Sequence, residues 1–142
     1  MKREYDVMKI IQPSNLELQV LAVLWEQGPA TARQVLEALP DKKERAYTTV
    51  LSVMQVMEKK GLLKHKADGN RHVYSPTVRK GEILGPFLRS LVANLFSGSA
   101  THALQHLLAN AKVSTAELTE MRALLDEAAR KQTQSLKEED NL

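Results

Sequence analysis

Thr48, Ser52 and Gln55 stand at helical spacing in the stretch ERAYTTVLSVMQVMEKKGLL, residues 44–63, and Lys59 completes their stripe. Residues three and four apart share one face of an α-helix. The other face of the same stretch carries Ala46, Val50, Val53, Met54 and Met57, an apolar stripe suited to a core. A solvated helix face ordinarily carries Glu and Lys. This one presents short neutral groups that donate and accept hydrogen bonds, a set that matches a surface with donors and acceptors of its own. A second pair, His102 and His106 in the string HALQH, has metal-ligand spacing on one helix face, and two copies of the chain would supply four imidazoles. The string lacks the Glu of a zinc-protease helix. The plainer reading of the two histidines is polar groups at a helix surface or interface, so no metal or other cofactor is expected.

Several other chemistries are excluded or unsupported. The chain has no cysteine, so disulfides, thiolate metal sites and cysteine nucleophiles are absent together. There is no Gly-rich phosphate loop and no nucleophile elbow. Glu17, Glu26, Glu37, Asp41 and Glu58 do not cluster as acid–base catalysis requires. The expectation is a chain that binds rather than an enzyme.

The elements that must position the neutral stripe are legible from their ends. A first helix is expected over 15–26, with Ser14 as N-cap and Glu17 as its capping-box partner. Leu16, Val20, Val23 and Leu24 form its inward stripe, and Gln27-Gly28-Pro29 stops it. A short second helix follows over 32–39, capped by Thr31 with Gln34 at the reciprocal position, and ended by Pro40-Asp41. The charged string DKKER leads to the third helix, the stretch quoted above, with Gly61 at its C-terminal cap. In LLKHKADGNRHVYSP, Leu63, His65 and Ala67 alternate with Lys64 and Lys66. Asp68-Gly69 signals a hairpin turn, His72-Val73-Tyr74 returns as the second strand, and Pro76 ends it. Three helices and then a basic hairpin make a winged helix.

Beyond Pro76 the pattern is helical again. A 78–84 segment is expected to be interrupted by Gly85-Pro86, with a helix over 86–96. Ser97-Gly98-Ser99 breaks the chain, Ser99 caps a helix over 100–110, and Ser114 with Glu117 starts the last one. The end, TQSLKEEDNL, reads as a polar, frayed tail. Phe87, Leu88, Leu91, Leu95, Phe96, Leu104, Leu107, Leu108, Leu118, Met121 and Leu125 are more apolar surface than three helices of this length can enclose. A homodimer that shares them is the economical solution. The expected layout is an N-terminal extension over 1–12, a winged-helix domain over 13–78, a helical dimerisation domain over 79–131 and a polar tail over 132–142. The fold class is mostly α with a small β-hairpin wing.

Charge completes the reading. Residues 1–80 hold 14 Lys/Arg against 9 Asp/Glu, whereas residues 81–142 hold 6 against 8. Seven basic residues and one acid fall within 59–80. A basic hairpin beside a neutral recognition face fits double-stranded DNA. Thr48, Ser52 and Gln55 are placed to read base edges in the major groove, and Tyr47 and Thr49 lie at its edge. Lys59 closes the stripe, and Leu51 is set to meet a thymine methyl. Arg45, ahead of the helix, suits phosphate. Lys64, Lys66, Arg71 and His72 on the wing suit phosphate or the adjacent minor groove. His65 and His72 also face each other across the hairpin, where a wing role beside phosphate is favoured over a metal pair. The alternatives are a winged-helix module that binds an acidic protein partner, and a metal-sensing repressor that uses His102 and His106.

These residues resemble the penicillinase and methicillin-resistance repressor family (BlaI/MecI). The resemblance covers about residues 13–128 and rests on four blocks in order: LELQVLAVLWEQGPATARQVLEALP, AYTTVLSVMQVMEKKGLLKHKADGNRHVYSP, LVANLFSGS, and VSTAELTEMRALL at 113–125. It implies a dimeric transcriptional repressor, and the absence of cysteine fits the reducing cytoplasm expected of one. Such repressors bind palindromic operators and are released when cut in response to a membrane sensor metalloprotease. The family's DNA-contacting helix falls on 46–60, its wing on 63–74 and its dimerising region on 81–128. Three features depart from the family pattern. Gln55-Val56 stands where relatives often carry arginine, Gly85-Pro86 interrupts a segment that is continuous helix in many relatives, and His106-Leu107 occupies the position of the cleavable Asn-Phe bond. No signal peptide, membrane span or direct membrane contact is expected.

Overall fold

The computed structural model describes residues 13–142; the expected N-terminal extension, residues 1–12, lies outside them. Helix α1 (Asn15–Gln27) begins where local capping chemistry dictates. Ser14 Oγ accepts from the Glu17 backbone N–H at 3.1 Å, and the Glu17 carboxylate accepts from the Ser14 N–H at 3.4 Å. Gly28, at φ +85°, ends it with a backbone angle that costs glycine little. Helix α2 (Ala32–Ala38) opens with the same reciprocal pair, Thr31 and Gln34. Helix α3 (Tyr47–Lys59) follows; its N-cap Ala46 makes no side-chain cap bond.

The three helices bury one core. Val20, Leu21, Val23 and Leu24 of α1, Val35 of α2, and Val50, Met54 and Met57 of α3 are all buried in it. Each such side chain contributes about 1.5–3 kcal/mol when fully covered. Leu21 lies outside the stripe expected from periodicity and yet is fully buried. The reason is that α1 packs against α2, α3 and the hairpin together, so a wider arc of its surface is covered. Ala46, expected on the apolar stripe of α3, is exposed because it precedes the first helical turn. Glu17, nearly buried, meets Lys60 Nζ at 3.2 Å and ties the start of α1 to the residue that caps α3.

Strands β1 (Leu63–Asp68) and β2 (Arg71–Pro76) pair antiparallel, with Leu63 opposite Pro76 and Asp68 opposite Arg71. Gly69-Asn70 is the two-residue loop, with positive φ at Gly69 and not at Asn70, the type II′ pattern. A third short strand, not expected from sequence, joins this sheet. Ala30 N–H donates to Tyr74 O at 3.0 Å and Tyr74 N–H donates to Ala30 O at 2.8 Å. A single bridging residue has no alternation to betray it. The bridge anchors the buried Tyr74 between the helices, and Trp25 Nε1–H donates to Val78 O at 3.0 Å just beyond the wing.

Helix α4 (Lys80–Leu95) continues through Gly85-Pro86, contrary to the expected interruption. Proline disfavours helix at the residue before it mainly by colliding with that residue's Cβ and N–H. Gly85 has no Cβ, and its own neighbourhood is open apart from the Arg89 side chain. The chain divides into two compact units with the break between Leu91 and Val92, inside α4. In the second unit Ser97 and Gly98 take positive φ and end α4, Ser99 caps α5 (Ala100–Asn110), and Ser114 caps α6 (Thr115–Asp140). Helix α6 continues through the segment expected to fray, ending at Asp140. No residue of α5 or α6 is buried.

Candidate nucleic-acid interface

Helix α3 presents its neutral stripe to solvent. Thr48, Ser52, Gln55 and Lys59 are all exposed, on the side opposite Val50, Met54 and Met57. The burial of the apolar side therefore fixes the rotation of the helix, and the rotation aims the stripe outward. Tyr47, Leu51 and Gln55 turn towards the wing, where they line a groove of about 520 Å³ together with Arg33, Arg71, His72 and Tyr74. Thr49 is exposed away from that groove, and Val56 is 47 % exposed. Both Arg33 and Asn70 line the groove and neither was picked out from sequence. Arg33 stacks its guanidinium 4.8 Å from the centre of the Tyr47 ring. A basic residue on the outer side of the helix before α3 is the signal that would have found it.

Arg45 has a protein partner instead of an open position. Its guanidinium makes two bonds to Asp41, at 2.8 and 2.6 Å, a bidentate pair. Asp41 also accepts from Gln19 Nε2 at 3.0 Å and from the Lys43 N–H at 3.1 Å. These donors, Arg45 first and Gln19 next, hold the Asp41 carboxyl well below the usual carboxylate range. The Arg45 guanidinium is raised in turn by the same bond. The cluster braces the connection into α3, where Lys42 takes φ +58°.

The wing residues divide between two faces of the hairpin. His65 opposes Tyr74 and Ala67 opposes His72, so these four share the face towards the helices. Lys64 and Lys66 alternate to the other face and are exposed, as is Arg71 at the tip. Burial pushes the Tyr74 hydroxyl up, and Glu58 and Tyr47 push it in the same direction, so it stays neutral. On α5, His102 and His106 are exposed, and the His106 ring stands edge-on to Phe96 at 5.2 Å. Among the described residues no group of three or more His, Asp or Glu is arranged to hold a metal ion. His106-Leu107 lies inside α5, in helical backbone.

Most of the residues expected to pair two chains are exposed. Leu88, Leu95, Leu107, Leu108, Leu118 and Leu125 are exposed, as is Phe87. Leu91, Phe96, Leu104 and Met121 are half-buried. No helix of the described residues is long and apolar enough to cross a membrane.

Residues 13–127 match the family model described as "Penicillinase repressor". The transcriptional regulator BlaI of Mycobacterium tuberculosis is 36 % identical over 102 residues, covering 70 % of this chain and 74 % of that protein. A penicillinase repressor of Bacillus licheniformis is 25 % identical over 119 residues, covering 84 % and 93 %. Among solved structures, a homodimeric winged helix-turn-helix DNA-binding domain from Mycobacterium bovis aligns with TM-score 0.46 at 18 % identity, over 70 % of this chain and 86 % of that one.

Proposed function

Because the chain belongs to the penicillinase repressor family, a family of transcriptional regulators and not of enzymes, we propose that it represses transcription as an operator-binding dimer. Helix α3 enters the major groove of double-stranded DNA, and the hairpin lies along the neighbouring backbone. The observation that carries this reading is the exposed stripe of Thr48, Ser52 and Gln55 directly opposite the buried side of α3. Base edges in the major groove offer distinct sets of donors and acceptors, and neutral hydroxyls and an amide can match them in both senses. A charged stripe would grip phosphate without reading sequence.

Roles follow from position. Gln55 is long enough for a two-bond contact to an adenine edge, whereas Thr48 and Ser52 accept or donate singly. Lys59, Lys64, Lys66 and Arg71 supply the phosphate contacts that set affinity and its salt dependence. Arg33, held over Tyr47, joins this set from α2. Arg45 braces the entry to α3 through Asp41 and contributes by keeping the helix start in place.

Dimerisation is supported by the apolar residues of α4, α5 and α6 that stay exposed among the described residues, Leu88, Leu95, Leu107, Leu108, Leu118 and Leu125. Leaving Leu95, Leu107, Leu108 and Leu125 wet would forfeit about 1.5–3 kcal/mol for each. A two-fold pairing covers both copies of the surface at once and presents two α3 helices to the two halves of a palindrome. The test is a mobility shift with the full chain and a duplex that it selects from a random library. Tight, salt-sensitive binding to the selected duplex over a random one is expected. Equal binding to both, or none, would overturn the proposal.

A further inference from the structure

Three side chains from three elements meet along the face of the wing that looks towards the helices. Glu58, near the end of α3, receives a hydrogen bond from His65 Nδ1 of β1 at 2.6 Å to one oxygen and 2.7 Å to the other. A carboxylate only accepts, so the proton sits on Nδ1 and the plane of the His65 ring is set by Glu58. That ring lies flat on His72 of β2, with centroids 4.2 Å apart and planes within 14°. The two are not directly opposed in the ladder, since His65 faces Tyr74 and His72 faces Ala67. Diagonal neighbours ordinarily sit about 7–8 Å apart, so the rings lean together to stack. Tyr74 closes the inner side, 5.6 Å from the His65 centroid and 6.4 Å from that of His72.

Among the described residues, the bond from His65 to Glu58 is the one side-chain hydrogen bond between α3 and either strand of the hairpin. An isolated two-stranded hairpin is marginal in water, so its angle to the recognition helix must be set by such attachments. The Ala30–Tyr74 bridge holds the wing from the other strand at the rung that Tyr74 shares with His65. The tip, with Arg71 and His72, lies beyond that bridge and lines the groove beside Gln55.

We infer that Glu58 and His65 are positioning residues. They hold His72 and the wing tip at a fixed angle to α3, so that helix and wing meet DNA in register. The inference rests on the operator-binding reading above. It predicts coupling between Glu58 and His72, which act through His65 and share no direct bond.

The test is a double-mutant cycle with the full chain and the selected duplex. Glu58→Ala is expected to weaken binding about fivefold, within the range of couplings between residues of one network. In a His72→Ala background the same change should cost less than about 1.5-fold. Glu58→Gln keeps an acceptor oxygen for the His65 Nδ1–H and should stay within about twofold of the parent. In the DNA-free chain, Glu58→Ala should shift the ring-proton resonances of His72 as the stack loosens. Multiplicative losses in the cycle, or unmoved His72 resonances, would overturn the inference while specific binding by the parent chain leaves the operator-binding reading intact. Failure of the parent chain to prefer the selected duplex would overturn both.

Discussion

Replacing Gln55 by Ala removes one side-chain amide from the exposed stripe of α3 and leaves the core untouched, because Val50, Met54 and Met57 carry the buried side. A two-bond contact to a base edge is worth about 1–3 kcal/mol of discrimination. At about 1.4 kcal/mol per factor of ten, that is roughly a 5- to 150-fold loss for each half-site at which the contact forms. The loss should be confined to the selected duplex. Gln55 is uncharged, so affinity for random DNA and the slope of log K against log salt should stay as they are. Competition mobility shifts at four or five salt concentrations read both quantities, and circular dichroism confirms that the helix content is kept. Selection of a new preferred duplex by the variant should relax the sequence at one position of each half-site. The reasoning is refuted if Gln55→Ala lowers affinity for selected and random duplexes by the same factor, or if it changes the salt slope.

Lys64→Ala should show the opposite signature, weakening selected and random duplexes alike and reducing the salt slope by about one for each wing in contact. Leu107→Glu places a charge on an exposed apolar face of α5, so sedimentation should show monomers at concentrations where the parent is dimeric, with the winged-helix unit still folded. The Asp41 carboxyl has a folded-state pKa below its unfolded value of about 3.9. Its contribution to stability is therefore present above that value and is lost as pH falls towards the folded-state pKa. The difference in thermal midpoint between the parent and Asp41→Asn should be full at neutral pH and shrink steadily below about pH 4. A difference that grows on acidification would refute the role given to the Asp41–Arg45 pair.

Capping chemistry made much of the fold readable. Ser14 with Glu17, Thr31 with Gln34, Ser99 and Ser114 each mark a helix start within the bounds observed, because a cap is a contact between residues three apart. The stripe of α3 was readable for a related reason: one helical period places polar and apolar residues on opposite sides. The hairpin followed from strand alternation and Gly69. Features that depend on distant neighbours were less legible. The Ala30–Tyr74 bridge needs the wing to fold back on the turn after α1, and the full burial of Leu21 needs three partners around one helix. Gly85-Pro86 reads from sequence as a break, yet the missing Cβ of Gly85 lets α4 continue. Arg45 reads from sequence as a phosphate contact, and its pairing with Asp41, four residues before it, shows only in the structure. The stacking of His65 on His72 was half visible as a cross-strand pairing, but the part played by Glu58 is not, since it belongs to another element.

The claim that most of this depends on is that the outer stripe of α3 touches bases. Titrating the isotope-labelled chain with its selected duplex and following backbone and side-chain amide resonances tests it directly. The largest shifts should fall on Thr48, Ser52 and the Gln55 side chain, followed by the wing at Lys64, Arg71 and His72. Shifts confined to α5 and α6, with the α3 stripe unmoved under saturating duplex, would contradict it.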